Sequence, residues 1–186
     1  AVTTGIQNTL IGALAGDALV AAADNVAVGY SALSTETGGQ NNVAIGRQSL
    51  TAQVNSSGNI YNTAVGAAAG QAVTTGATNT LIGGLSGDNI TSGGANVLFG
   101  YGTDANDGTA DSQHGFGYSL NCASGYTTLG NAASDIRAAH GNITWATVSD
   151  QRYKKDIVNS TAGLSFINAL QPRTFKYKTL GELPEA

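Results

Sequence analysis

Methionine is absent from this chain of 186 residues, cysteine and tryptophan occur once each, and proline occurs twice. Charged residues make up 11% of the sequence and aromatics 6%. Each shortage excludes something. The single cysteine, Cys122, cannot close an internal disulfide, so no disulfide framework holds the chain, and the thiol reads as an inert buried one. Amphipathic stretches rich in Lys, Glu and Leu are missing, which argues against a helical bundle or coiled coil. No run of about 18 apolar residues offers a membrane span, and no charged-then-apolar segment opens the chain as an export signal. With no Met to start it, the sequence is expected to be a piece of a longer product.

Glycine is plentiful instead, at 26 residues, but it has no every-third-residue register and so does not make collagen. A hydrophobic content of 41% is enough to offset much of the chain entropy, so the chain is expected to be compact rather than disordered. Charge divides it in two. Residues 1–136 hold one basic residue, Arg47, against eight acids, whereas residues 137–186 hold seven basic residues against four acids.

The acidic part is periodic. A phrase of Asn, three mostly apolar residues and Gly recurs as Asn8-Thr-Leu-Ile-Gly12, Asn25-Val-Ala-Val-Gly29, Asn42-Val-Ala-Ile-Gly46, Asn62-Thr-Ala-Val-Gly66, Asn79-Thr-Leu-Ile-Gly83 and Asn96-Val-Leu-Phe-Gly100. It then decays into Gln113-His-Gly-Phe-Gly117 and Tyr126-Thr-Thr-Leu-Gly130. The closing glycines are spaced 17, 17, 20, 17, 17, 17 and 13 residues apart, with a three-residue insertion around Ser56 to Tyr61. A fixed period of this length is the mark of a repeat architecture. The phrases are rich in Val, Ile and Thr and lie between Gly, Asn and Thr-Thr-Gly clusters, so each is predicted to be a short strand between turns. The fold expected is all-β: a repetitive β-solenoid, β-roll or triple β-helix, homotrimeric, with a short α+β segment at the carboxy terminus. If one repeat makes one coil with a rise of about 4.8 Å, the array is roughly 35 Å long.

Within a strand, alternation sorts the side chains into two faces. Ile11, Val28, Ile45, Val65, Ile82, Phe99 and Phe116 fall on one face, and Leu10, Ala27, Ala44, Ala64, Leu81 and Leu98 on the other. Both faces are apolar, and a strand apolar on both sides must be covered on both. The smaller Ala and Leu set is expected to pack around a threefold axis, and the Ile, Val and Phe set to fill the coil. Glycine closes each strand where the backbone turns with positive φ or approaches a neighbour closely. The opening Asn serves either as a plain turn residue or as a rung of a side-chain amide ladder.

Other chemistry is weakly marked in the array. Asp104 to Asp111 offers oxygen ligands, but its Gly108 comes one place early for an EF-hand and no acid occupies the twelfth position, so it reads as a solvated loop. His114 occupies an otherwise apolar strand position, either as a hydrogen-bonded histidine or as an axial anion or metal ligand if three copies meet, while His140 shows no partner motif. The expectation is therefore no metal and no cofactor. Tyr30, Tyr101 and Tyr118 each follow a closing glycine and are expected either to form an aromatic binding strip or to cap the core, burial of all three deciding for the second. Thr-x-Thr does not recur at the repeat period, which argues against an ice-binding face. An acidic array without a basic stripe argues against nucleic acid as a partner, and the Gly-rich segments lack the following helix of a dinucleotide fingerprint.

The Asn-x-Ala-Ile/Val-Gly phrase with Thr-Gly-x-x-Asn spacers, over about residues 3–130, resembles repeats of phage tail fibres and of the head domains of trimeric bacterial adhesins. Three segments follow from this: the repeat array at 1–130, a junction strand segment at 131–148 that includes Ile143 to Val148, and residues 149–186. The last segment reads Ser149-Asp150-Gln-Arg152-Tyr-Lys154-Lys155, then Gly163-Leu164-Ser-Phe-Ile167-Asn-Ala-Leu170-Gln-Pro172-Arg-Thr-Phe175-Lys-Tyr177-Lys178. Leu164, Ile167 and Leu170 recur at helical spacing, Ser160 or Thr161 can cap the start, and Pro172 ends the helix, with a strand at 174–178 after it.

This ordered phrase is similar to the start of the self-cleaving intramolecular chaperone domain that terminates many phage tail fibres and tailspikes. Leu129-Gly130-Asn131, Ile136-Arg137 and Trp145 suit the stretch that precedes it. That family's chaperone runs on past the point matched by Ala186. The resemblance implies a homotrimer that folds a fibre and is cut at Val148-Ser149. Ser149 would be the nucleophile, Lys154 the base made neutral by burial, and Asp150 and Arg152 the orienting pair. It implies one turnover of autoproteolysis per chain and no activity on other substrates. It also implies a bacterial cell-surface receptor, saccharide or protein, and a place in the virion tail fibre. The alternative is the head domain of a trimeric adhesin on a bacterial surface.

Overall fold

A computed structural model of the chain describes residues 4–55 and 57–141, and the backbone of Ala146 and Thr147. The chain divides into two compact units, residues 1–149 and 150–186, and all the described residues lie in the first. The helix expected before Pro172 and the strand at 174–178 lie outside the described residues, as does the expected Ile143 to Val148 run apart from Ala146 and Thr147.

Each repeat phrase supplies one three-residue strand. These are β1 (Thr9–Ile11), β2 (Val26–Val28), β3 (Val43–Ile45), β4 (Thr63–Val65), β5 (Thr80–Ile82) and β6 (Val97–Phe99). The short β7 (Asp104–Ala105) follows, then β8 (His114–Tyr118), β9 (Asn121–Cys122), β10 (Tyr126–Asn131), β11 (Ser134–Ala139) and β12 (Ala146–Thr147). Strands β1 to β6, β8 and β10 pair in parallel in that order, each with the strand one coil on, so the chain is an all-β solenoid of about seven turns. Strands β11 and β12 then extend the sheet in antiparallel fashion. No helix occurs among the described residues.

The coils are bonded to one another on their turn side as well. Gly16 N donates to Ala32 O (2.9 Å), Leu33 N to Ser49 O (3.0 Å), Leu50 N to Ala69 O (3.1 Å), Gly70 N to Ser86 O (2.9 Å) and Gly87 N to Thr103 O (3.0 Å). Near the end of the array β7 and β9 form a small second parallel sheet on this side of the coil. The three-residue insertion bulges without breaking the stack: Gln40 bridges Asn59, and Val43 N still donates to Asn62 O at 2.9 Å.

The opening asparagines form a buried ladder. Asn25, Asn42, Asn62, Asn79 and Asn96 are all fully buried. The backbone N–H of each donates to the side-chain oxygen of the asparagine one coil earlier, from Asn25 to Asn8 (3.0 Å) through Asn96 to Asn79 (3.1 Å), and Gln113 N continues to Asn96 (2.9 Å). The amide nitrogens span the coil to a carbonyl 14 residues on, as in Asn79 to Gly93 (3.0 Å) and Asn62 to Gly76 (2.7 Å). A buried backbone N–H must find a partner, and here the side chain of the previous rung supplies it.

The closing glycines are required by backbone approach. Gly12 and Gly29 sit at φ 127° and 132°, and a Cβ on either would come within 2.7 or 2.6 Å of the carbonyl oxygen of the next closing glycine. Gly46, Gly66 and Gly83 repeat the arrangement at φ 130°, 140° and 133°.

The two strand faces are assigned the other way round from the sequence expectation. Ala27, Ala44, Ala64, Leu81 and Leu98 are fully buried inside the coil, whereas Ile11, Ile45 and Phe116 are 59%, 37% and 41% exposed on the outside. The interior is narrow, and two columns fill it jointly. In two coils a Leu at the middle of the strand meets a small residue six places on: Leu10 faces Gly16, and Leu81 faces Gly87. Where the strand residue is Ala27 or Ala44, the corner carries the fully buried Leu33 or Leu50. Those two leucines hold φ of 52° and 47°, a conformation that costs an L-residue about 1–2 kcal/mol and that burial of the side chain offsets. Gly115 completes the column by making room for Cys122 Sγ.

A third interior column holds Leu19, Glu36, Gln53, Val73 and Ile90, all fully buried. The polar pair is satisfied. Glu36 accepts backbone N–H groups from Thr37 (2.8 Å), Gly38 (3.1 Å), Gly39 (2.8 Å) and Asn55 (3.1 Å), and the amide of Gln53 (2.8 Å). Gln53 in turn accepts from Asn62 at 2.9 Å. This network fastens the coil beside the insertion.

Candidate functional site

The solenoid interior is complete within one chain, so function has to be sought on its surface. The first and third residues of every strand point outward: Thr9, Ile11, Val26, Val28, Val43, Ile45, Thr63, Val65, Thr80, Ile82, Val97 and Phe99. None of these carries a charge, and they form a strip running along six coils. Phe99 and Phe116 stack at its end, with ring centres 5.3 Å apart and planes 13° from parallel. A contiguous, uncharged, β-branched face open to water is the mark of a surface that packs against a macromolecule.

Beside this strip runs the column that follows each closing glycine. Tyr30, Tyr101 and Tyr118 are 52%, 54% and 54% exposed. Tyr101 and Tyr118 stack at 5.7 Å with planes 19° apart. Tyr30 is separated from them by the coils that place Arg47, Ala67 and Gly84 in the column, so the strip expected from sequence is a pair and a single ring.

The oxygen-rich stretch at 104–111 uses its carboxylates on nearby protein groups. Asp111 accepts Gly94 N at 2.6 Å, and Asp107 accepts both the N–H (2.9 Å) and hydroxyl (2.7 Å) of Thr109, which lowers its pKa. Asp104 accepts Ala105 N at 2.9 Å, and burial together with the neighbouring Asp88 pushes its carboxyl up to about 7. Burial also raises the Cys122 thiol to about 11, so little thiolate exists at neutral pH. Among the described residues no three or more His, Cys, Asp or Glu side chains are grouped to hold a metal ion.

His114 and His140 lie together at the end of the array, with ring centres 4.5 Å apart. The sequence gives His140 no partner because the β10–β11 hairpin that delivers it is outside the 17-residue period. Burial, with His140 second, lowers the pKa of His114 below the ordinary imidazole value.

Val148, Ser149, Asp150, Arg152 and Lys154, the residues of the expected cleavage site, lie outside the described side chains. Sequence comparison speaks for this segment. Residues 149–185 match the family model described as chaperone of endosialidase. The chaperone match starts at the serine that the sequence reading placed after the scissile bond, and it covers 37 of 186 residues. Comparison with curated proteins and with solved structures finds no match. The chain therefore joins two things: a β-solenoid with an open apolar face, and a chaperone-like segment.

Proposed function

We propose that this chain is the carboxy-terminal part of a phage tail fibre or tailspike, in which a trimeric β-solenoid shaft presents a host-attachment surface and is assembled by the chaperone that begins at Ser149. The observation that carries this reading is the chaperone match placed behind a solenoid whose outward strand face is apolar and unpartnered. Threefold assembly through that face removes Ile, Val and Phe side chains from water at about 25 cal/mol per Å². The interior alanines and leucines are already covered, so the outward set is the one left for neighbouring copies.

The cleavage chemistry is argued from residue types. Ser149 Oγ attacks the carbonyl of Val148, a neutral Lys154 accepts the hydroxyl proton and returns it to the departing nitrogen of Ser149, and the C–N bond breaks as the ester forms. Water then hydrolyses the ester, which releases the chaperone after a single turnover. Asp150 and Arg152 orient the loop. The shaft carries no activity on other substrates in this reading, and its receptor is a saccharide or protein of a bacterial surface.

The test is the carboxy terminus of the shaft when the protein is produced from its gene. A denatured mass ending at Val148, with Ser149→Ala leaving the chain uncut and still assembled, agrees with the proposal. A wild-type chain that assembles uncut, or is cut elsewhere, contradicts the assignment of Ser149.

A further inference from the structure

We infer that His114 and His140 form a binding site for a divalent transition-metal ion. The first outward strand position is Thr9, Val26, Val43, Thr63, Thr80 and Val97 through six coils, and only at the seventh does it become an ionisable residue, His114. Thr127 is paired directly with His114 in the parallel β8–β10 ladder. The β10–β11 hairpin returns the chain with Ala138 opposite Thr127, and His140 N donates to Gly125 O at 2.7 Å, which fixes the backbone that carries the second imidazole. Thr127 Oγ1 lies 3.3 Å from His140 Nε2.

The spacing suits chelation. With metal–nitrogen bonds of about 2.0–2.1 Å and a ring centre about 1.1 Å behind each nitrogen, two imidazoles at right angles on one ion have centres about 4.5 Å apart, and at the tetrahedral angle about 5.1 Å. The observed separation is 4.5 Å. Thr127 supplies the outer hydrogen bond that metal-binding histidines use for orientation: in the tautomer the site requires, Nε2–H of His140 donates to its hydroxyl and Nδ1 keeps the lone pair for the ion. No third imidazole, thiol or carboxylate is grouped with the pair among the described residues, so water completes the coordination. Imidazole nitrogen with water suits Zn²⁺, Ni²⁺ or Cu²⁺ rather than the oxygen-seeking Ca²⁺ or Mg²⁺. Both imidazoles come from one chain, so the ion needs no ligand from a second copy.

The experiment is a titration of untagged, chelator-treated full chain with Zn²⁺ by calorimetry, and with Cu²⁺ by electron paramagnetic resonance. Zinc is expected to bind with micromolar affinity at one ion per chain, and the copper spectrum to show two nitrogen ligands. His140→Ala, at an exposed position, and His114→Ala are each expected to weaken zinc binding on the order of tenfold or more with an unchanged circular dichroism spectrum. His140→Ala keeps the test readable if His114→Ala fails to fold. Absence of zinc binding at millimolar concentration, binding unchanged in His140→Ala, or more than two nitrogens on copper would overturn the assignment. A monomeric native mass would contradict the trimer while leaving this site intact.

Discussion

Asn79→Ala tests whether the asparagine ladder is a main element of the fold. Asn79 is fully buried, its Oδ1 accepts Asn96 N at 3.1 Å and Asn96 Nδ2 at 3.0 Å, and its Nδ2 donates to Gly93 O at 3.0 Å. Alanine removes these bonds at once. Asn96 Nδ2 keeps a bond to Ala110 O at 3.3 Å, but Asn96 N and Gly93 O are left without their partners. A buried unsatisfied group costs about 1–3 kcal/mol, so two of them give a loss of about 2–6 kcal/mol. Thr78→Ala is the matched control. Ala95 N donates to Thr78 Oγ1 at 3.1 Å, across the same 17 residues but in an exposed position, and it keeps its bond to Ala77 O at 3.1 Å when the hydroxyl is removed. Its expected cost is below about 1 kcal/mol. Guanidinium unfolding of both variants and the parent, at one chain concentration because assembly shifts apparent stability, reads the difference. Equal midpoints for Asn79→Ala and Thr78→Ala would refute the claim that the ladder satisfies the buried backbone.

Gly66→Ala is expected to destabilise the coil by at least about 2 kcal/mol, because φ is 140° and the new Cβ meets the carbonyl of Gly83, whereas Gly58→Ala, at φ 98° with no atom within 4 Å, costs backbone strain alone; comparable unfolding midpoints would contradict this. Ile82→Lys is expected to leave the secondary structure intact and reduce the native mass, while Ala64→Lys, at a fully buried site, prevents folding, as sedimentation and circular dichroism would show. For Asp104 the folded pKa, about 7, lies well above the ordinary carboxylate range, so the folded state holds its proton more tightly and this group's contribution to stability falls as pH rises from about 4 to 7. Asp104→Asn should therefore gain on the parent over that window in unfolding midpoint, and a pH-independent difference between the two would remove the argument.

The repeat period, the strand positions and the glycine corners are legible in the sequence because each coil uses the same backbone path and the same residue types. The direction of the faces was not. Both faces of Val43-Ala44-Ile45 are apolar, and residue size alone suggested that small alanines face other chains. A second column bears on the matter in four coils: Leu33 and Leu50 stand six residues beyond Ala27 and Ala44, and Gly16 and Gly87 six beyond Leu10 and Leu81, whereas Ala64 and Leu98 are followed at that distance by Gly70 and Asp104. That exchange of volume was present in the sequence as a cue to which residues share the interior. Glu36 and Gln53 were visible only as polar departures from the column of Leu19, Val73 and Ile90. The pairing of His114 with His140 depends on hairpin register, which the 17-residue pattern does not carry.

The outward strand face is proposed as the surface where copies of this chain meet. Sedimentation equilibrium of the native protein at micromolar concentration, together with the mass of its denatured chain, tests that directly. The expected native mass is three times that of the chain. A stable monomer would contradict it.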